Sequence, residues 1–250
     1  CSSDLVIVTA TPIFFYNATA QLKALIDRSQ TLWARKYRFN LKDSFAGQRK
    51  GFYLSVAATK GKQLFDGLDL TMRYFFDAVD AKYSGSLTYK SIEKKGDMEK
   101  HPTVRRDVEK AVEDLLKPLL NRKRVLFIGR KNTCLSQMAG AFTRKIAGDD
   151  FDVMTAGIEA GKEIDPDMVK AMEEIGIDMK FLHPVPLSQI MLERKPAMVF
   201  ALGKEIEMPL FEGSRFFRWE FDDPSGQPMA FMKKIREQIK VKVNDVFSGL

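Results

Sequence analysis

The sequence predicts an α/β protein made of two domains, each a three-layer unit built on a parallel sheet. Short apolar runs alternate with longer segments of helical periodicity, first over residues 1–121 and again over 122–250. The chain has 250 residues, 45% of them apolar and 29% charged, which suits two ordinary globular domains. Between the two alternations, Pro118 disfavours helix before it and the basic cluster Arg122-Lys123-Arg124 is typical of a solvated boundary.

The first domain contains three strand-like and three helix-like segments. The predicted strands are Leu5–Thr9, Gly51–Val56 and Ser84–Tyr89, and the predicted helices are Asn17–Arg35, Gln63–Val79 and Val104–Leu120. Residues 5–8 are apolar at every position, which is typical of a strand covered on both faces inside a parallel sheet. A long apolar strand with an unpaired edge favours aggregation. We therefore expect either that this domain lacks its first strands or that the edge pairs with another chain.

The second domain repeats the alternation over a complete four-stranded pattern. Its predicted strands are Val125–Ile128, Phe151–Thr155, Met198–Leu202 and Phe216–Glu220. Its predicted helices are Leu135–Ile146, Asp165–Ile175, a short one at Leu187–Leu192, and Met229–Phe247.

The stretch RVLFIGRKNTCLSQMAGAF (124–142) predicts a candidate phosphate loop. A strand runs into a short polar loop, and helix-forming residues follow from Leu135 onward. Such a turn directs backbone N–H groups and a helix N-terminus toward one point, which suits a bound anion. The residues of this predicted loop are Gly129, Arg130, Lys131, Asn132, Thr133, Cys134, Leu135 and Ser136.

Composition excludes several other classes of protein. The net charge of +7 is scattered through helices, so no nucleic-acid partner is predicted. No apolar window approaches the roughly 18–20 residues of a membrane span, so no membrane partner is predicted. Cys1 and Cys134 lie in different segments, which favours a reducing cytoplasm over a disulfide framework. Two histidines and two distant cysteines predict no metal site.

The second domain resembles low molecular weight protein tyrosine phosphatases and the arsenate reductases that share their fold. The family begins roughly V-L-F-V-C-x-x-N-x-C-R-S, and TAGIEAGKEIDPDMVKAMEEIGIDMKFLHP (155–184) and DDPSG (222–226) match later segments. The resemblance implies a nucleophilic cysteine and a phosphate-binding arginine at positions that here hold Gly129 and Leu135. It also implies that Asn132 and Ser136 brace the loop, and that Asp223 stands at the general-acid position, where an Asp-Pro turn is the simpler interpretation.

These replacements predict that phosphatase activity is absent. Glycine cannot attack phosphorus, and leucine cannot bind a phosphoryl group. Cys134 matches a second loop cysteine of the family, but Gly140 stands six residues after it, so no Cys-x5-Arg pattern starts there. We therefore interpret Cys134 as a small thiol that fills space.

The first domain resembles NAD(P)H-dependent FMN reductases, which have a flavodoxin-like fold. The similarity is carried by DLVIVTATPIFFYNATAQLKALIDR (4–28) and GFYLSVAATKG (51–61). It implies FMN as cofactor, NAD(P)H as substrate and a homodimer, with weak flavin binding because the family's flavin-phosphate loop is not part of this sequence. The implied flavin contacts are Thr11, Pro12, Ile13, Phe14, Tyr16, Asn17, Thr59 and Gly61. From the residues alone, the aromatic run could equally close the top of the core.

Three functions follow from these patterns. The leading hypothesis is an FMN-dependent NAD(P)H oxidoreductase fused to a catalytically inactive phosphatase-like domain that binds or regulates through an anionic or phosphorylated ligand. The first alternative is a non-enzymatic anion-binding or scaffold protein. The second alternative is a low molecular weight tyrosine phosphatase or arsenate reductase with altered chemistry.

Overall fold

The structure is a computed structural model that describes residues 5–191, 195–204, 206 and 211–248. Its elements in chain order are β1 (Val6–Pro12), α1 (Ala20–Arg28), α2 (Gln30–Arg38), β2 (Lys42–Asp43), β3 (Arg49–Ala57), α3 (Asp66–Ala78), β4 (Ala81–Lys90), α4 (Val104–Leu120), β5 (Lys123–Gly129), α5 (Leu135–Ala147), β6 (Phe151–Gly157), α6 (Pro166–Glu173), β7 (Ile177–Asp178), α7 (Leu187–Met191), β8 (Met198–Leu202), β9 (Arg215–Trp219) and α8 (Met229–Phe247). The end of the predicted helix Leu187–Leu192 lies outside the described residues.

The described chain divides into two compact units. The first comprises residues 5–40 and 46–121, and the second comprises 41–45 and 122–248. The second unit is therefore discontinuous in sequence. Residues 41–45 belong to it, although the sequence pattern places them inside the domain 1–121.

The first unit is a three-stranded parallel sheet in the order β1-β3-β4. Its core on one face joins Tyr53 of the central strand to Leu68, Met72 and Phe76 of α3. A Cβ atom built at Gly51 would lie 2.3 Å from the Phe76 ring, so glycine permits this close approach of helix and sheet. On the other face of the sheet, Leu115 of α4 is buried.

The prediction that residues 5–8 are covered on both faces is wrong at Val8. Within the described sheet, β1 lies at the edge and its buried and exposed residues alternate. The Val8 side chain is 53% exposed, whereas Thr9 is buried. Apolar residues in a strand favour burial, but the helices and strands that pack beside the strand decide which of its faces is covered.

The single helix predicted over Asn17–Arg35 is divided into α1 and α2 at Ser29. The Ser29 hydroxyl donates to the Leu25 carbonyl oxygen at 3.0 Å, and the Ser29 N–H points to the carbonyls of Leu25 and Ile26 at 3.1 Å. A serine that bonds back to the preceding turn competes with regular helix, which bends or ends it. By contrast, α4 continues through Pro118 to Leu120.

The second unit has a four-stranded parallel sheet in the order β6-β5-β8-β9. One face carries a stack of aromatic rings that includes Phe127, Phe200, Trp219 and Phe247 of α8. The other face buries Leu126 and its neighbours together with Ile190 of α7. The central strand β5 is therefore covered on both sides, and its carboxyl end opens into the loop that begins at Gly129.

A second, very short parallel sheet in this unit pairs β2 with β7. Two-residue strands show no measurable period, so the sequence pattern did not predict them. Among the described residues, none of the helices combines the length and the apolar character needed to cross a bilayer.

Candidate functional site

The predicted phosphate loop lies between β5 and α5 and lines a cavity of ≈ 780 Å³. Ligands of open α/β sheets bind beyond the carboxyl ends of the strands, and this cavity occupies that position. All eight residues of the predicted loop line it. The remaining wall, of which the sequence predicted only Asp223, is formed by Ile158, Glu159, Leu202, Gly203, Lys204, Ile206, Phe221, Asp222, Asp223 and Ser225.

The carbonyl groups of the loop are held away from its centre by the segment that follows β6. The Gly129 oxygen accepts from the Ile158 N–H at 3.2 Å, and the Arg130 oxygen accepts from the Glu159 N–H at 2.9 Å. The loop carbonyls of residues 131 and 133 accept in the same way from the N–H groups of residues 161 and 165, at 2.8 and 3.0 Å. This segment therefore fixes the orientation of consecutive peptide planes.

The N–H groups of residues 130, 131, 132 and 134 consequently face the cavity side. In a planar trans peptide the C=O and the following N–H point in opposite directions, so each carbonyl held outward turns the next N–H inward. Within the described part of the chain, the backbone N–H groups from Arg130 to Ser136 donate to no protein acceptor. Such N–H groups at the start of a 13-residue helix have the arrangement that suits a bound oxyanion.

Asn132 braces this arrangement from inside the protein. It has a positive φ of 57° and its side chain is 1% exposed. Its amide nitrogen donates to the Ser136 hydroxyl at 2.9 Å. Its amide oxygen accepts from Gln137 Nε2 at 3.0 Å and from the Val185 N–H at 2.8 Å. These contacts join Asn132 to Ser136 and to Gln137, a residue that the sequence analysis did not single out.

Gly129 and Leu135, which stand where the resemblance implies a nucleophilic cysteine and a phosphate-binding arginine, lie at opposite ends of the loop. Gly129 ends β5, and a Cβ atom built there would lie 2.9 Å from the Ser136 hydroxyl oxygen. Leu135 begins α5, is half-buried and faces the cavity. Neither residue can supply a nucleophile or a cation to a ligand in the loop.

Among the described residues that line the cavity, the charges balance. Arg130, Lys131 and Lys204 are its basic side chains, and Glu159, Asp222 and Asp223 are its acidic ones. Exposed ion pairs join Arg130 to Glu159 at 3.8 Å and Lys204 to Asp222 at 2.9 Å. The backbone N–H groups, and not a surplus of basic side chains, therefore provide the main attraction for an anion.

Asp223 is exposed, and its carboxylate accepts the Ser225 N–H at 3.0 Å. This contact is the local turn expected of an Asp-Pro sequence. Its side chain also lines the cavity, so it is placed beside a ligand that occupies the loop.

Cys134 is buried and its thiol lies 3.7 Å from the Met232 sulfur. Burial, with the negative charges of Asp165 and Asp223, raises the pKa of this thiol well above its ordinary value. The reactive thiolate is therefore scarce at neutral pH, in agreement with a space-filling role.

We expect Cys134 in the folded protein to be alkylated by iodoacetamide at pH 8 at least about a hundredfold more slowly than in the urea-unfolded protein, because both thiolate formation and access are suppressed. The measurement uses a Cys1→Ser variant, in which Cys134 is the single thiol of the sequence. Equal rates in the folded and unfolded protein would contradict the buried, protonated thiol.

In the first unit, the loop after β1 forms a tight aromatic turn. Phe14 and Asn17 exchange two backbone hydrogen bonds at 3.0 and 3.1 Å. Between them, Phe15 and Tyr16 have φ values of 49° and 65°. This is the pattern of a type I′ turn, which normally contains asparagine and glycine. Phe15 belongs to the aromatic run for which the sequence leaves open a flavin contact or closure of the core, and its side chain is fully exposed.

The two predicted flavin loops lie close together in the structure. A Cβ atom built at Gly61 would lie 3.3 Å from the Tyr16 hydroxyl, and Lys90 Nζ donates to the Gly61 carbonyl at 3.0 Å. Thr11 is buried, and its hydroxyl donates to the Pro12 oxygen at 2.9 Å, so it braces the turn instead of facing a ligand. Ile13 packs against the core, whereas Pro12, Phe14, Tyr16 and Thr59 are exposed.

Among the described residues there is no cluster of three or more histidine, cysteine, aspartate or glutamate side chains suited to a metal ion. In the second unit, therefore, β5 enters α5 through a loop whose backbone N–H groups face a cavity, a geometry that suits a bound oxyanion.

Comparisons with known proteins identify the family. Residues 124–250 match the family described as low molecular weight phosphotyrosine protein phosphatase, and the chain belongs to this family. Arsenate reductase 2 of Staphylococcus epidermidis is 32% identical over 126 residues, which cover 50% of this chain and 95% of that protein. Arsenate reductase 1 of Bacillus cereus is 31% identical over 125 residues, covering 49% and 92%. A solved structure of an arsenate reductase in the phosphate binding state is 26% identical, covers 51% of this chain and 98% of its own, and has a TM-score of 0.46.

Proposed function

We propose that the C-terminal unit binds a tetrahedral oxyanion, either free or as the phosphoryl group of a larger ligand, without cleaving it. The observation that carries this proposal is that the carbonyls of residues 129, 130, 131 and 133 are held outward, which turns the N–H groups of residues 130, 131, 132 and 134 toward the cavity. The arsenate reductases similar to this unit bear the name of a tetrahedral oxyanion, and phosphate has the same shape and charge.

The absence of turnover is part of the proposal. Covalent phosphoryl transfer needs a nucleophile at the start of the loop and benefits from a cation that holds the equatorial oxygens. Gly129 and Leu135 occupy those places, and the buried Cys134 thiol has a raised pKa. The loop therefore retains recognition without the groups that perform chemistry.

Calorimetric titration with phosphate, arsenate and phosphotyrosine, together with a p-nitrophenyl phosphate assay, tests this function. We expect saturable binding of at least one of these ligands and no hydrolysis above the blank. Hydrolysis that disappears in Asp223→Ala would show that an altered catalytic chemistry operates. If none of the three ligands binds, the loop is a fold element alone.

We propose that the first unit has a second function, the binding of a flavin by its aromatic turn. The cofactor would be FMN and the electron donor NAD(P)H, in a protein that acts as a cytoplasmic homodimer. The observation in its favour is the backbone conformation of Phe15 and Tyr16. Bulky residues with positive φ cost about 1–3 kcal/mol each, and such strain clusters at ligand sites. A fully exposed Phe15 gains no packing that would offset this cost within the chain.

Replacing Phe15 by glycine is expected to separate stability from binding. The free energy of unfolding should rise by about 1 kcal/mol, because glycine adopts the left-handed conformation without strain. FMN binding, followed by quenching of flavin fluorescence, should weaken because an aromatic face is lost. Phe39→Ala is the control, since Phe39 is also exposed but lies outside the turn. Unchanged FMN affinity in Phe15→Gly, or no affinity in the parent protein, would retire the flavin site.

A further inference from the structure

The segment Leu41–Phe45, here called the docking segment, is seated on the second unit by backbone pairing. Lys42 and Asp43 pair in parallel with Ile177 and Asp178 of β7. The Lys42 N–H donates to the Gly176 carbonyl oxygen at 3.0 Å. A ladder of two residues is too short to hold a segment by itself, so side chains must supply most of the attachment.

Phe45 is the anchor of the docking segment. Its side chain is 8% exposed, and the Arg144 guanidinium carbon lies 4.1 Å from the centre of its ring. Arg144 stands in the last turn of α5, is itself buried, and donates from Nη2 to the Val153 carbonyl at 3.0 Å. A desolvated guanidinium over an aromatic face is the stronger form of the cation–π contact.

The docking segment is also ordered within itself. The Asp43 carboxylate accepts the Phe45 N–H at 2.8 Å, which fixes the turn that delivers the ring to Arg144. Ser44, between them, is buried. Six residues before Phe45, the side chain of Phe39 is 68% exposed, so the phenylalanine that precedes the docking segment does not share the burial of Phe45.

We propose that the second unit carries a peptide-binding surface formed by β7 and the C-terminal turn of α5. This surface binds an extended segment by parallel strand addition, with an aromatic side chain packed over Arg144. Its occupant is the chain's own segment Leu41–Phe45. This is strand addition combined with a side-chain pocket, a recurring mode of peptide recognition. The folded form of this unit thus extends beyond the family match at residues 124–250 and includes the docking segment.

Hydrogen exchange on the full chain tests the proposal, with Phe45→Ala compared against Phe39→Ala. In Phe45→Ala, exchange should become at least tenfold faster at residues 42–45, at 177–180 and in the last turn of α5, while β3 and β4 keep their protection. Phe39→Ala should leave all of these rates within twofold of the parent. Equal rates in the two variants, or loss of protection in β3 and β4 instead, would overturn the proposal.

Phe45→Leu keeps an apolar side chain of similar volume and removes the ring, with Phe39→Leu as its matched control. We expect a rise of severalfold in exchange at 177–180 for Phe45→Leu and none for the control. If Phe45→Ala does not yield folded protein, this pair decides the question by the same measure, and no difference between its members would refute the aromatic anchor.

Discussion

Replacing Asn132 by alanine is expected to lower the free energy of unfolding of the second unit by about 4 kcal/mol and to abolish oxyanion binding. Three buried hydrogen bonds of its amide, to Ser136, Gln137 and Val185, are lost at about 1 kcal/mol each. Alanine at a positive φ adds about 1 kcal/mol more. Binding fails because the loop can no longer hold its N–H groups toward one point.

The measurement is urea unfolding followed by fluorescence in a Trp33→Phe background, where Trp219 in the second unit is the single tryptophan. Asn40→Ala is the control, because Asn40 also has a positive φ, of 53°, but is exposed. Since Asn40 lies in the first unit, the effect of this control is measured through Trp33 in a Trp219→Phe background. It should cost only the backbone share of about 1 kcal/mol. If Asn132→Ala costs no more than Asn40→Ala, the side chain does not brace the loop.

The double variant Gly129→Cys with Leu135→Arg is expected to gain hydrolysis of p-nitrophenyl phosphate. A thiol at Gly129 would lie beside the N–H groups of the loop, which lower its pKa and favour the attacking thiolate. An arginine at Leu135 would stabilise charge on the transferring group. Without it, Gly129→Cys alone should be about a hundredfold slower than the double variant.

The gain of hydrolysis requires that the Ser136 hydroxyl make room for the new side chain at position 129. A Cβ atom at position 129 would lie 2.9 Å from the Ser136 hydroxyl oxygen, so that hydroxyl must turn aside and weaken its contact with Asn132. The control is Gly129→Ser with Leu135→Arg, which has the same size but no thiolate. If the double cysteine variant binds phosphate but shows no turnover above this control, the loop has lost the geometry for catalysis as well as the two side chains.

The sequence predicted the larger elements because their periodicity is strong, and Val104–Leu120 and Met229–Phe247 coincide with α4 and α8. It could not predict the division at Ser29, because a hydroxyl that bonds to the preceding turn leaves apolar spacing unchanged. Exposure of Val8 depends on the neighbours of an edge strand, which local pattern does not encode.

In the candidate site, too, features set by neighbouring residues in the sequence were predictable, whereas features set by tertiary contacts were not. The strand, loop and helix around Gly129 were predictable from the order and composition of the residues. The family resemblance indicated that Gly129 and Leu135 stand where a cysteine and an arginine are expected. The orientation of the loop carbonyls was not predictable, because it depends on hydrogen bonds from residues 158–165 beyond the next strand. The docking of Phe45 joins residues far apart in sequence by two-residue strands, which carry no periodic signal.

The balance of charge around the oxyanion loop determines how a ligand would respond to salt. N–H groups that point at solvent are hydrated, so an entering anion exchanges hydrogen bonds with water and gains mainly from fixed backbone dipoles at contact distance. Added salt screens distant charges far more than groups in direct contact. Since three acidic side chains offset three basic ones among the described residues that line the cavity, affinity for an oxyanion should vary little with ionic strength, unlike that of sites built from clustered lysine and arginine.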